Sequence, residues 1–100
     1  MATYRELLAK VKEEIEEIST VEAHARLHDA EPPLYVDVRP PDEWQEGHIP
    51  GAVLSPRNNL ESRFEGLVPD RSRELVGYCG SGDRSAFAAK TLQELGYENV

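Results

Sequence analysis

The stretch Leu75-Val76-Gly77-Tyr78-Cys79-Gly80-Ser81-Gly82-Asp83-Arg84-Ser85 decides how the rest of the chain is read. Its first four residues, apolar apart from the tyrosine hydroxyl, predict a short strand over 75–78. Ala86, Ala89, Leu92 and Leu95 then recur at helical spacing and predict a helix over 85–95, closed by Gly96 as its carboxyl cap. A strand that runs into a helix through so short a loop gathers free backbone amides around one point. Gly80 and Gly82 permit positive φ and close backbone approach, so these amides are expected to form an anion-binding nest at the positive end of the helix. Cys79 stands at the opening of that nest.

The flanking sequence repeats the alternation. Leu34-Tyr35-Val36-Asp37-Val38 predicts a strand rich in β-branched and aromatic residues, ended by Arg39-Pro40-Pro41. Pro41 suits a first helical position, and a brief helix over 42–46 carrying Trp44 is expected to close at Gly47. A strand at about 52–55 and a helix over 58–68 follow, the latter from the spacing of Leu60, Phe64, Leu67 and Val68. Ser19 and Glu22 have the form of a capping box for a helix over 20–29. Upstream, Tyr4, Leu7, Leu8, Val11, Ile15 and Ile18 form one face of an amphipathic helix over 3–18, which packs either on the chain's own core or on a partner. Its acidic carboxyl end opposes the helix dipole. A last strand is expected to begin near Val100. Strands separated by helices, at spacings too long for hairpins, indicate an α/β fold with a parallel sheet covered by helices.

Composition narrows the function classes. Among 100 residues, 11 Lys and Arg stand against 19 Asp and Glu, a net charge of −8 that opposes binding to nucleic acid or to anionic membrane surfaces. No apolar run approaches the roughly 20 residues of a membrane span, and the first ten residues lack the apolar segment of a secretory signal. One cysteine makes neither an internal disulfide nor a multi-cysteine zinc site, and His24, His28 and His48 are scattered. The expectation is a cytoplasmic domain with no metal and no cofactor.

A lone cysteine is most often a small buried hydrophobe. Helix dipole, loop amides and the nearby Arg84 guanidinium would instead lower the pKa of Cys79 and raise its thiolate fraction. The candidate site is therefore Cys79 as nucleophile, with Gly80, Ser81, Gly82, Asp83, Arg84 and Ser85 as the anion-binding loop. Any sulfur adduct on Cys79 must be discharged from outside, since no second cysteine is present to resolve it. In an open parallel sheet, ligands bind beyond the carboxyl ends of strands. Asp37 and Arg39 end one predicted strand and so are expected to support the same crevice, or to form an ion pair that orders its loops. His48 and Trp44 are read as structural.

Three ordered motifs resemble the rhodanese domain family: Asp37-Val38-Arg39 with Glu43-Trp44, then Gly47-His48-Ile49-Pro50-Gly51-Ala52, then Cys79, Gly82 and Arg84 in C-x-x-G-x-R form. Leu95 to Val100 is similar to the family's run into its last strand. The resemblance implies a three-layer sandwich with a parallel sheet of four to five strands, and a persulfide on Cys79. It divides the chain into an amphipathic extension, residues 1–18, and a rhodanese-like domain, residues 19–100, expected to lack its final strand and helix. The implied activity is a sulfurtransferase moving sulfur from thiosulfate or a persulfide to a thiol or cyanide. The extension and Leu60-Glu61-Ser62-Arg63 are similar to rhodanese domains that work with adenylyltransferases and sulfur-carrier proteins. Two alternatives stand beside it. One is a non-catalytic regulatory or partner-binding domain; the other is a cysteine-dependent phosphatase or arsenate reductase, whose loops have C-x5-R spacing where Cys79 to Arg84 is C-x4-R. The Asp83 carboxylate is expected to disfavour dianionic thiosulfate and favour a protein-bound persulfide as donor.

Overall fold

The computed structural model describes residues 3–80 and 83–100. Three parallel strands form its sheet: β1 (Leu34–Asp37), β2 (Val53–Leu54) and β3 (Leu75–Tyr78), in the order β2-β1-β3. Val36 faces Val53 on one side of β1 and Gly77 on the other. The ladders run past the strand ends, with Ser55 N–H on the Asp37 carbonyl at 2.9 Å and Val38 N–H on the Tyr78 carbonyl at 3.1 Å.

Helices cover both faces, as a parallel sheet requires. Val36 and Val38 point into a core made with Leu60 and Phe64 of α4 (Leu60–Leu67), and with Ala88 and Leu92 of α5 (Asp83–Glu94). On the other face Tyr35 is buried and donates its hydroxyl to the Ala23 carbonyl of α2 (Thr20–Arg26). A short α3 (Pro41–Glu46) follows β1, with Pro41 in its first turn. The α1 helix (Tyr4–Glu14) packs on α5, burying Val11 and leaving Tyr4 and Leu7 largely exposed.

Several boundaries differ from the sequence reading. The first helix stops at Glu14 rather than residue 18, and Ile15 is already extended at φ −118°, ψ 163°. Glu13, Glu14, Glu16 and Glu17 place negative charge where the helix dipole is negative, which accounts for the early end. Glu14 turns to Lys90 of α5, 2.6 Å away, rather than to Lys10 on its own helix. The second helix ends at Arg26, three residues early, although Ser19 caps it by accepting from the Glu22 amide at 3.0 Å. The α5 helix begins at Asp83, so Asp83 and Arg84 lie in its first turn and not in a loop.

Where a fourth strand was expected, the chain docks by a single ladder-like bond. The Leu75 amide donates to the Asn99 carbonyl at 2.7 Å, on the edge of β3 turned away from β1, and the described sheet has three strands rather than four or five. One bond fixes no register. The approach to it is set by Gly96, whose φ of +95° is open to glycine and costly for other residues. It turns the chain so that Tyr97 reaches the core, edge-on to Phe64 at 5.0 Å, with its hydroxyl on the Val68 carbonyl.

Phe64 is fully buried at this junction of α4, the sheet and the carboxyl segment. Its replacement by Ala is expected to lower stability by about 3–5 kcal/mol. Urea denaturation checks this, and a loss below about 1 kcal/mol would mean the core closes over the site.

Candidate active site

The carboxyl ends of β1 and β3 meet around a buried carboxylate. Asp37 is wholly removed from solvent, and Arg39, two residues on, folds back across it. Arg39 Nε lies 2.9 Å from Oδ1 and 3.1 Å from Oδ2, Nη2 lies 2.7 Å from Oδ2, and the Arg39 backbone amide adds a bond of 3.0 Å to Oδ1. Burial alone would raise the Asp37 pKa. The Arg39 hydrogen bonds, one from Tyr78 and the guanidinium charge outweigh it and hold the carboxyl below the ordinary carboxylate value. Arg39 also donates to the Gly47 carbonyl at 2.7 Å and lies over the Tyr78 ring, 5.7 Å from its centroid.

Tyr78 links this cluster to the cysteine. Its hydroxyl accepts from the Ile49 amide at 3.2 Å and lies near enough to Asp37 to favour the ionised carboxylate. The β3 residue immediately before Cys79 is thereby fixed to β1 and to the segment after α3. Cys79 itself is partly buried, with Sγ 3.6 Å from the hydroxyl of Ser85 in the first turn of α5. The sulfur therefore lies near the amino end of a helix, where dipole and free amides favour an anion. A groove of about 680 Å³ opens at Cys79 and follows β3, with Ile15, Ile18, Ala86 and Val100 among its walls.

Gly80 does not use the positive φ open to it, and a Cβ there would meet only Arg84 Nη2, at 3.9 Å. Arg84 reaches the carboxylate of Glu43 on α3, with Nη1 3.7 Å from Oε2. Asp83 accepts a hydrogen bond of 3.3 Å from the Tyr4 hydroxyl of α1. Ser81 and Gly82, two of the candidate loop residues, lie outside the described residues. His48 stacks on Trp44 with centroids 3.5 Å apart, and its Nδ1 lies 3.0 Å from the Trp44 carbonyl. Among the described residues no cluster of three His, Cys, Asp or Glu is placed to hold a metal ion, and no helix is long and apolar enough to cross a membrane.

Sequence reasoning missed Tyr78, Glu43 and Tyr4. Tyr78 read as a strand residue, although a hydroxyl directly before the cysteine was a usable signal. Glu43 entered only as part of a family motif and Tyr4 only as part of an apolar stripe, with no sign of their partners Arg84 and Asp83, which lie 41 and 79 residues away in sequence.

These features define an α/β domain that holds one thiol at a strand-to-helix turn on the carboxyl edge of a parallel sheet. The chain belongs to the rhodanese-like domain family, whose model matches residues 19–100. It is 35% identical over 66 residues to the thiosulfate sulfurtransferase PspE of Escherichia coli, an alignment covering 66% of this chain and 64% of that protein. Among solved structures, the human single-domain sulfurtransferase TSTD1 matches with TM-score 0.72 and 30% identity over 85% of each chain. A Rhodopseudomonas palustris protein of unknown function, described as a possible tyrosine phosphatase, matches with TM-score 0.85 and 30% identity over 99% of this chain and 81% of its own.

The Asp37–Arg39 pair makes a signed prediction. A carboxyl whose folded pKa is depressed adds stability that is present above its unfolded value and lost as pH falls through the folded one. Removing Arg39 leaves burial to dominate and reverses that sign. Arg39→Ala is expected to cost about 3–5 kcal/mol at neutral pH, with the gap to wild type narrowing as pH falls through the carboxylate range and below. Urea midpoints measured from pH 7 to pH 3 check this; a constant gap would contradict it.

Proposed function

We propose that this chain is a rhodanese-type sulfurtransferase that carries sulfur as a persulfide on Cys79. The observation that supports it best is the position of Cys79, directly after β3 and with its sulfur against the first turn of α5. In the first half-reaction the Cys79 thiolate attacks the outer sulfur of thiosulfate. The new S–S bond forms as the old one breaks, and sulfite leaves with the electron pair. Cys79 now ends in a terminal anionic sulfur, which amides at the amino end of α5 are suited to hold. In the second half-reaction a thiolate or cyanide attacks that terminal sulfur and releases Cys79 as thiolate. Asp37, Arg39 and Tyr78 have no part in bond making; they fix the strand end that presents the cysteine.

The donor is thiosulfate or a protein-bound persulfide, and the acceptor a small thiol, cyanide or a sulfur-carrier protein. Donor and acceptor must meet Cys79 in turn, since no internal cysteine takes the sulfur. A single cysteine outside any disulfide suits a reducing compartment, which supports a cytoplasmic setting. Residues 19–100 are the working domain in this reading, with α1 as an extension laid on α5.

The name of the Rhodopseudomonas relative favours a second reading, phosphate-ester hydrolysis. Against it stands the C-x4-R spacing, which makes a smaller ring than the C-x5-R loop and suits one sulfur atom better than a tetrahedral oxyanion.

Incubation with thiosulfate is expected to add the mass of one sulfur atom to the intact protein, and cyanide to remove it with formation of thiocyanate. Cys79→Ser is expected to abolish both while shifting stability by less than about 1 kcal/mol, because the change nearly preserves size. Turnover of an aryl phosphate without any sulfur adduct would support the phosphatase reading instead.

A further inference from the structure

The family match begins at residue 19, yet α1 reaches the site. Tyr4 lies at the start of α1 and meets Asp83 at the start of α5; Glu14 ends α1 and meets Lys90 seven residues further along α5. The two helices therefore run in the same direction and bring their amino ends together. The Tyr4 ring packs on Phe87 with centroids 5.9 Å apart, and the Tyr4 hydroxyl is 3.3 Å from Asp83 Oδ2. Asp83 shares its helical turn with Ser85, the residue whose hydroxyl is 3.6 Å from Cys79 Sγ. Asp83 begins the helix two residues, about 3 Å along the axis, before Ser85; its side chain leaves on a different face, and its charge reaches the sulfur through space within the screening length of the solvent.

We infer that Tyr4 is a specificity-determining residue of the Cys79 site: its hydroxyl, held on Asp83, offsets a negative charge that would otherwise repel anionic reagents from the sulfur. The phenol is suited to this because it stays protonated. Partial desolvation, then the charge and hydrogen bond of Asp83, and further off Cys79, keep its pKa above the ordinary tyrosine value. The O–H dipole points its positive end at the carboxylate and weakens the field seen by an approaching anion. Asp83 then hinders thiosulfate less than its sequence position alone implies, and α1 becomes part of donor selection.

This inference rests on Cys79 being the reacting sulfur, as proposed above, but its test does not require sulfur transfer. Cys79 is the only cysteine, so alkylation reads one site. Iodoacetate is an anion and iodoacetamide a neutral reagent of similar shape, and the ratio of their rates cancels any change in thiolate fraction. In Tyr4→Phe the ratio is expected to fall about two- to fivefold at low ionic strength and to recover as salt screens the carboxylate. Asp83→Asn should raise it, and Tyr4→Phe added to Asp83→Asn should change it no further. With thiosulfate, Tyr4→Phe should raise KM and leave kcat unchanged.

An unchanged ratio in Tyr4→Phe at low salt would overturn the inference, as would a loss that persists in the Asp83→Asn background. Loosening of α1 would speed or slow both reagents alike and so also leave the ratio flat. Failure to form any sulfur adduct, with the alkylation pattern intact, would instead overturn the sulfurtransferase reading and leave the Tyr4–Asp83 coupling standing.

Discussion

The Asp37–Arg39 pair is the constraint on which the site depends. A carboxylate with no solvent contact is costly unless every lone pair finds a donor. Here the Arg39 guanidinium and backbone amide meet that demand together. Satisfying Asp37 fixes the end of β1, because Arg39 must turn back over it. The same guanidinium reaches the end of β3, because it lies over the Tyr78 ring. Gly47 and Ile49 are drawn in through a further N–H of Arg39 Nη2 and the hydroxyl oxygen of Tyr78. Two neighbouring strands and the segment after α3 are thus locked at the edge where Cys79 emerges.

That lock explains how a small domain holds the Cys79 thiol in place. The sheet has three described strands, and β2 is only two residues long, so ladder bonds alone give little rigidity. Apolar packing supplies most of the rest through Val36, Val38, Leu60, Phe64, Leu75 and Leu92, all on one side of the sheet. The polar cluster sits at the strand ends, where such packing runs out. Arg84 adds a tie of a different kind, from the first turn of α5 to Glu43 on α3 across the cysteine loop. Both partners are partly exposed, so the tie orients more than it stabilises.

The legible part of the sequence was what local periodicity and short-range chemistry encode. Pro41 opening α3, Ser19 capping α2, Gly96 ending α5 and the β1 and β3 cores follow from residues within a few positions of each other. Helix ends were less legible because competing charges decide them: the glutamates after Val11 end α1 early, and no apolar pattern reports that. Family resemblance brought the fold and the cysteine loop forward with little ambiguity. Pairings between distant elements were hidden. Neither Glu43 nor Tyr4 carries a local sign of Arg84 or Asp83, and the stripe on α1 could not say which surface it covers.

Asp83 illustrates how such hidden pairings change chemistry. Read in sequence, it is a bare carboxylate beside a cysteine loop, one charge among the nineteen acidic residues of a chain at −8. Placed in the first turn of α5, it has two neighbours that sequence does not supply: the helix dipole, which favours it there, and the Tyr4 hydroxyl, which partly neutralises it. The first makes a carboxylate at that position stable, and the second makes it tolerable beside the site proposed to take anionic donors. The same dipole also favours negative charge on the sulfur, so Asp83 and Cys79 compete for one positive helix end. A hydrogen bond from outside the family domain eases that competition without removing either charge, which gives α1 a chemical reason to lie where it does.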